Sequence, residues 1–98
     1  MKQQLYVIYD TAADVHTMPY VFKNDKVAIR QFSGIVNGEQ EHLYKSHPDQ
    51  FELLCIGTYD DEDASLTIKT IDSLGEEKEE LRRYVCNLQE INKEETVR

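Results

Sequence analysis

Lys23, Lys26 and Arg30 follow one another at spacings of three and four residues, with Tyr20 and Phe22 just ahead of them. Residues so spaced share one flank of a helix, so the three cations form a stripe that suits a nucleic-acid backbone while a neighbouring ring stacks on bases. The competing reading is an ordinary solvated helix face, because three charges make a small electrostatic footprint. The metal-ligating types give less. His16, His42, His47, Cys55 and Cys86 include no Cys-x-x-Cys or His-x-x-x-His pair that would set two ligands on one element, so no zinc site is expected. Asp60-Asp61-Glu62-Asp63 offers hard oxygen ligands but lacks a mid-loop glycine and a bidentate glutamate at the calcium-loop spacing, and reads as a solvated turn. Gly34, Gly38, Gly57 and Gly75 are too scattered for a phosphate loop, and no nucleophile elbow or framed carboxylate pair is visible. The chain is therefore expected to be no enzyme and to carry no cofactor.

These residues sit in a chain of 98, 40% hydrophobic and 31% charged, which fits one compact domain with a modest core and rules out a two-domain enzyme. No apolar stretch approaches the roughly 20 residues of a membrane helix, and the start of the chain leads into a strand-like run rather than a signal segment, so no membrane role is expected. The formal charge of −8 opposes general affinity for phosphate, and six of those negative charges belong to residues 60–98. Two cysteines are too few for a disulfide scaffold and suit buried thiols in an intracellular protein.

The hydrophobic pattern predicts a four-stranded, mainly antiparallel sheet with two helices over one face, in the order β-β-α-β-β-α, an α+β fold over residues 1–91 with a frayed acidic tail at 92–98. Residues 4–10 form the first strand, expected to be central, and 18–22 the second, with Pro19 at its entry. Asn24 or Asp25 caps a helix that puts Ala28, Ile29, Phe32, Ile35 and Val36 on one face and ends at Asn37-Gly38, residues that tolerate the left-handed conformation. A loop to Lys45 and a turn at residues 46–49 lead to a third strand over 50–59, inside the sheet, and a more polar edge strand over 66–71. From Gly75 onward, Leu81, Tyr84, Val85 and Leu88 share a helical face and Glu79 and Arg83 stand at i,i+4, predicting an acidic second helix. Val7, Phe22, Ile29, Phe32, Leu53, Ile56, Val85 and Leu88 are the expected core.

Residues 5–10, the stretch Met18-Pro19-Tyr20-Val21-Phe22-Lys23-Asn24-Asp25-Lys26-Val27-Ala28-Ile29-Arg30-Gln31-Phe32, then residues 47–51 and 56–60, together resemble a known family. In the same order over residues 4 to 61, the chain looks like the small nonstructural protein of gokushovirus-type microviruses, tailless phages with circular single-stranded DNA genomes. That resemblance implies a DNA-binding protein of the bacterial host cytoplasm, active in viral replication or in the switch to single-strand synthesis and packaging. Asn24, Asp25, Ala28, Ile29 and Arg30 match the family string. The first two are explained by a helix cap and the next two by a core, which leaves Arg30, with Lys23 and Lys26, as the candidate contact.

Two functions compete. One is direct binding of single-stranded DNA by Lys23, Lys26, Arg30 and Tyr20, in a homo-oligomer, a homodimer for example, that repeats a weak basic surface. The other is an adaptor whose acidic C-terminal helix docks on a viral or host replication or capsid protein without touching DNA.

Overall fold

The computed structural model describes residues 1–71, 74–79 and 82–91. Two long strands run through its middle, β1 (Lys2–Asp10) and β4 (Phe51–Asp60), paired antiparallel from Lys2 opposite Asp60 to Asp10 opposite Phe51. Both are rich in the aromatic and β-branched or bulky apolar residues that fill a pleated surface. Two short strands share the outer edge of β1: β2 (Val15–His16) opposite Tyr9 and Asp10, and β3 (Tyr20–Phe22) opposite Gln4 to Tyr6. Two more share the outer edge of β4. β5 (Ser65–Thr67) lies at one end; β6 (Lys69–Ile71) and β7 (Glu77–Glu79) pair only with each other; and β8 (Arg83–Asn87) lies along Glu52 to Cys55. All these pairings are antiparallel, so the α+β class and the central places of β1 and β4 agree with the sequence.

One helix, α1 (Asp25–Val36), covers one face of the sheet. Asn24 is extended, and its side-chain oxygen accepts the Val27 amide at 3.0 Å, which satisfies one of the orphan donors of the first turn. Ala28, Phe32 and Val36 then fall on a single stripe and pack with Tyr6, Ile8, Phe51, Leu53, Cys55, Cys86 and Leu88 in the core. Phe22, Ile29 and Val85 pack against that cluster, as expected of them. Val7 is also buried, but alternation sets it on the opposite face, beside its cross-strand partner Leu54. Ile56 is only half-buried, because the register shifts there: Leu5 faces Gly57 and Tyr6 faces Cys55, which makes Ile56 the extra residue of a bulge.

The structure corrects the sequence reading in several places. The large sheet has six strands rather than four, with the order β2-β1-β4-β5 along its path, β3 on β1 and β8 on β4, and a separate two-stranded sheet beside it. No second helix follows Gly75 among the described residues. Glu79 ends β7, Tyr84 and Val85 lie in β8, and Leu88 opens a single 3-10 turn to Ile91, while Leu81 and the tail at 92–98 lie outside the described residues. A run of five residues carries too little periodicity to separate strand from helix, and the open edge of β4 decides it. The second helix is instead α2 (Leu43–Ser46), within the stretch expected to be a loop, and a 3-10 turn follows at Pro48–Gln50. The edge strand at 66–71 breaks at Ile68 into β5 and β6. A Cβ at Gly57 would stand 2.4 Å from the Thr67 carbonyl oxygen, so glycine permits the backbone to cross β4 there. Asn37 ends α1 at φ −103°, not in the left-handed region; its amide side chain donates to the Ser33 carbonyl at 3.1 Å and to the Ile91 carbonyl at 2.9 Å.

Cys55 and Cys86 are free and buried. Burial pushes the Cys86 thiol up to about 11, with the charges of Glu90 and Asp25 adding to it, and burial raises Cys55 as well. The native state therefore holds its thiol protons at a pH where an unfolded thiol, ordinarily at 9.0, releases them. The contribution of Cys86 to stability is complete below pH 9 and is lost as pH rises through 11, and Cys55 acts in the same direction. Urea midpoints should fall across that interval, and Cys86→Ala should lessen the fall; a midpoint constant up to pH 11 would contradict the burial of the thiol.

Candidate nucleic-acid interface

The start of α1 is built around a buried carboxylate. Asp25, in the first turn, projects to the core side, where Arg83 of β8 holds it with Nη1 2.9 Å from Oδ2 and Nη2 2.9 Å from Oδ1. The Tyr6 hydroxyl donates to Oδ1 at 2.6 Å. Arg83 spends two more donors on Thr70 Oγ1 at 3.1 Å and the Ile71 carbonyl at 2.8 Å, while the Gln4 side chain receives the Ile71 amide at 2.8 Å. Burial, then the hydrogen bond to Asp25, raises the Tyr6 phenol far above its ordinary range. Burial opposes the charge on Arg83, but the hydrogen bond and attraction of Asp25 outweigh it and keep the guanidinium charged. This bidentate pair ties α1, β1, β6 and β8 together. It was not anticipated from the sequence, although a signal existed: Asp25 stands three residues before Ala28 and seven before Phe32, on the apolar stripe, where a carboxylate requires a partner.

The candidate cations surround this centre without joining it. Lys23, Lys26 and Arg30 are all exposed, and among the described residues none of them pairs with a carboxylate. Lys23 and Lys26 border one cavity of about 340 Å³, together with Gln4, Asn24, Asp25 and Ile71. Among the described residues that line it, Lys23 and Lys26 supply the cations and Asp25, already compensated by Arg83, the carboxylate. Arg30 is one helical turn beyond Lys26, outside the cavity. Tyr20 is set apart from the lysines: its ring meets the Phe32 ring edge-on at 5.3 Å between centroids and lies parallel to Phe22 at 6.2 Å, leaving it 38% exposed. The Phe32 ring also lies 6.1 Å from the Tyr44 ring, whose phenol is pushed up to about 12 by burial first and by Tyr20 after it.

The family profile of the Phage ORF5 protein matches residues 3–79, more than three quarters of the chain. The chain belongs to that family. The match takes in β1 to β7 and all four candidate residues, and stops before β8, so the Arg83 half of the buried pair lies outside it. No curated protein and no solved structure matches the chain. Membership marks a phage protein and assigns no activity to it.

Of the other chemistry-bearing residues, His16 and Arg82 meet on the far face of the sheet. Arg82, just before β8, reaches across to β1 and β2, its Nη1 2.7 Å from His16 Nε2 and its guanidinium carbon 5.5 Å from the centre of the Tyr9 ring, which His16 stacks on at 4.5 Å. His42 caps α2, and Cys55 and Cys86 are in the core, so these histidines and cysteines are spread over the molecule. Among the described residues no group of three such side chains converges, and no helix is long and apolar enough to cross a membrane.

Proposed function

We propose that this phage protein is a non-catalytic binder of single-stranded DNA, a nonstructural protein of a gokushovirus-type microvirus that works in the host cytoplasm during replication or the switch to single-strand synthesis and packaging. The observation that supports it is the pair of exposed lysines at one cavity rim, with Arg30 a turn beyond and the Asp25 carboxylate of the same cavity held by Arg83. Lys23, Lys26 and Arg30 hold phosphates, and Tyr20, set apart from the lysines and still partly exposed, adds the aromatic contribution. The adaptor reading depends on an acidic C-terminal helix, and β8 occupies part of the segment that would form it.

The test is the triple variant Lys23→Ala, Lys26→Ala, Arg30→Ala, measured against an oligonucleotide over a salt series. All three side chains lie outside the core, so the circular-dichroism spectrum should not change. The parent slope of log affinity against log salt, near about −2 for three contacts on a single strand, should flatten toward zero. A triple variant that binds as the parent does would move the adaptor reading ahead.

Three contacts per chain are few, so the proposal includes a homo-oligomer that repeats them. The β5 edge, where Leu66 and Ile68 stand well exposed, is the place for strand-to-strand pairing. Light scattering at high micromolar concentration should give at least twice the chain mass; a single-chain mass would remove the multivalent form of the proposal.

A further inference from the structure

We propose that a cavity at the far end of the β1 outer edge takes one nucleobase of the bound single strand. This inference rests on the single-stranded DNA reading and adds a base-binding site to its phosphate contacts. The cavity measures about 470 Å³, within the range of about 300–1,000 Å³ usual for small-ligand sites. Tyr44 and Phe51 supply its aromatic wall, with ring centroids 4.7 Å apart and tilted by 62°, and the His42 ring lies 4.4 Å from Tyr44. Val15 and Leu43 flank it and are 55% and 61% exposed, apolar side chains left in water at the border of a hollow. Such walls suit a flat aromatic ligand, because every base has a π-face and stacking tolerates any sequence.

The polar groups suit the edge of a base. His42 Nδ1 accepts the Tyr44 amide at 3.0 Å, which puts the proton of the neutral ring on Nε2 and makes it a donor. Asp10 accepts the Ala12 and Ala13 amides on Oδ1, at 3.0 and 3.1 Å, and carries its second oxygen as a further acceptor. Donor and acceptor thus stand at one aromatic cavity.

Its position relative to the lysines completes the argument. Lys23 follows β3, which pairs with Gln4 to Tyr6, and Val15 opens β2 opposite Asp10. Six residue steps along β1 lead from Gln4 to Asp10, roughly 20 Å at about 3.3 Å per residue. Even at the compact spacing of about 3.4 Å per nucleotide along a duplex strand, that is about six nucleotides. A short strand can therefore reach both places along one edge, and the Phe32 ring, 5.3 Å from Tyr20 and 6.1 Å from Tyr44 between centroids, links the candidate aromatic residue to the cavity wall.

The experiment compares an oligothymidine with an abasic strand of equal length, which carries the same phosphates but no bases, against the parent and against Val15→Ser/Leu43→Ser. The parent should prefer the oligothymidine by about tenfold, the lower part of the range for one stacked base. The double variant changes only largely exposed side chains, so its circular-dichroism spectrum should match the parent, and its preference should fall toward one with the salt slope unchanged. A parent that binds both strands equally, or a double variant that keeps the full preference, would overturn the base site and leave the phosphate contacts standing. A parent that binds neither strand at low salt would remove the single-stranded DNA reading itself, and this inference with it.

Discussion

Arg83→Met is expected to lower the unfolding free energy by about 3–5 kcal/mol, because it leaves the Asp25 carboxylate buried without its cation. Arg83 and Asp25 are both buried, joined by two 2.9 Å contacts, and Tyr6 supplies only one neutral donor to the same carboxylate. A domain of this size has a total stability of about 5–15 kcal/mol, so the single variant stands near the limit of folding. Asp25→Leu combined with Arg83→Met removes both charges together and should recover much of the loss, since an apolar replacement of a buried pair is often neutral. Urea unfolding of the three proteins provides the measurement. A loss below about 1 kcal/mol for Arg83→Met, the size typical of an exposed pair, would show that the pair is solvated.

Phe32→Ala should cost about 3–5 kcal/mol and Leu53→Ala about 2–5 kcal/mol. Phe32 is the centre of an aromatic group, with centroids 5.3 Å from Tyr20, 6.0 Å from Phe22 and 6.1 Å from Tyr44, so its removal opens a cavity under β3 and α2 together. Leu53 is fully enclosed between β1 and β8. Ile56→Ala, at the bulge and half-buried, should cost less than either, which makes it the internal control. Urea midpoints that leave Phe32→Ala and Leu53→Ala unchanged would contradict the placement of α1 on β1 and β4.

The elements legible in the sequence are those whose pattern is long enough to exclude alternatives. β1, α1 and β4 each carry nine to twelve residues of strand-favouring composition or helical spacing, and Asn24 announces the start of the helix through its cap. β8 was misread because Tyr84, Val85 and Leu88 satisfy a helical face as readily as a five-residue strand. What decides between them is tertiary: β4 offers an open edge at Glu52 to Cys55, and Asp25 requires a cation that Arg83 delivers from a strand. β2 is two residues long and exists because the Asp10 carboxylate receives the Ala12 and Ala13 amides and Asp14 adopts φ 57°, turning the chain back onto β1.

The candidate site was legible as residue types, not as an arrangement. The spacing of Lys23, Lys26 and Arg30 identified three exposed cations on or beside α1, but not that the first two share a cavity from which Arg30 is absent. Tyr20 stands out by its nearness in sequence; its ring instead packs on Phe32, which also meets Tyr44. The cavity between Val15 and Leu43 draws on residues from β1, β2, α2 and β4, and no local pattern brings those segments together.

The measurement that most directly tests the account is the affinity of the unmodified chain for a single-stranded oligonucleotide over a range of salt. The prediction is weak binding, opposed by the net charge of −8, with log affinity falling linearly in log salt. The slope should lie near about −2 per chain, the value for three phosphates on a single strand. No detectable binding at the lowest salt, or binding whose strength does not change with salt, would contradict it.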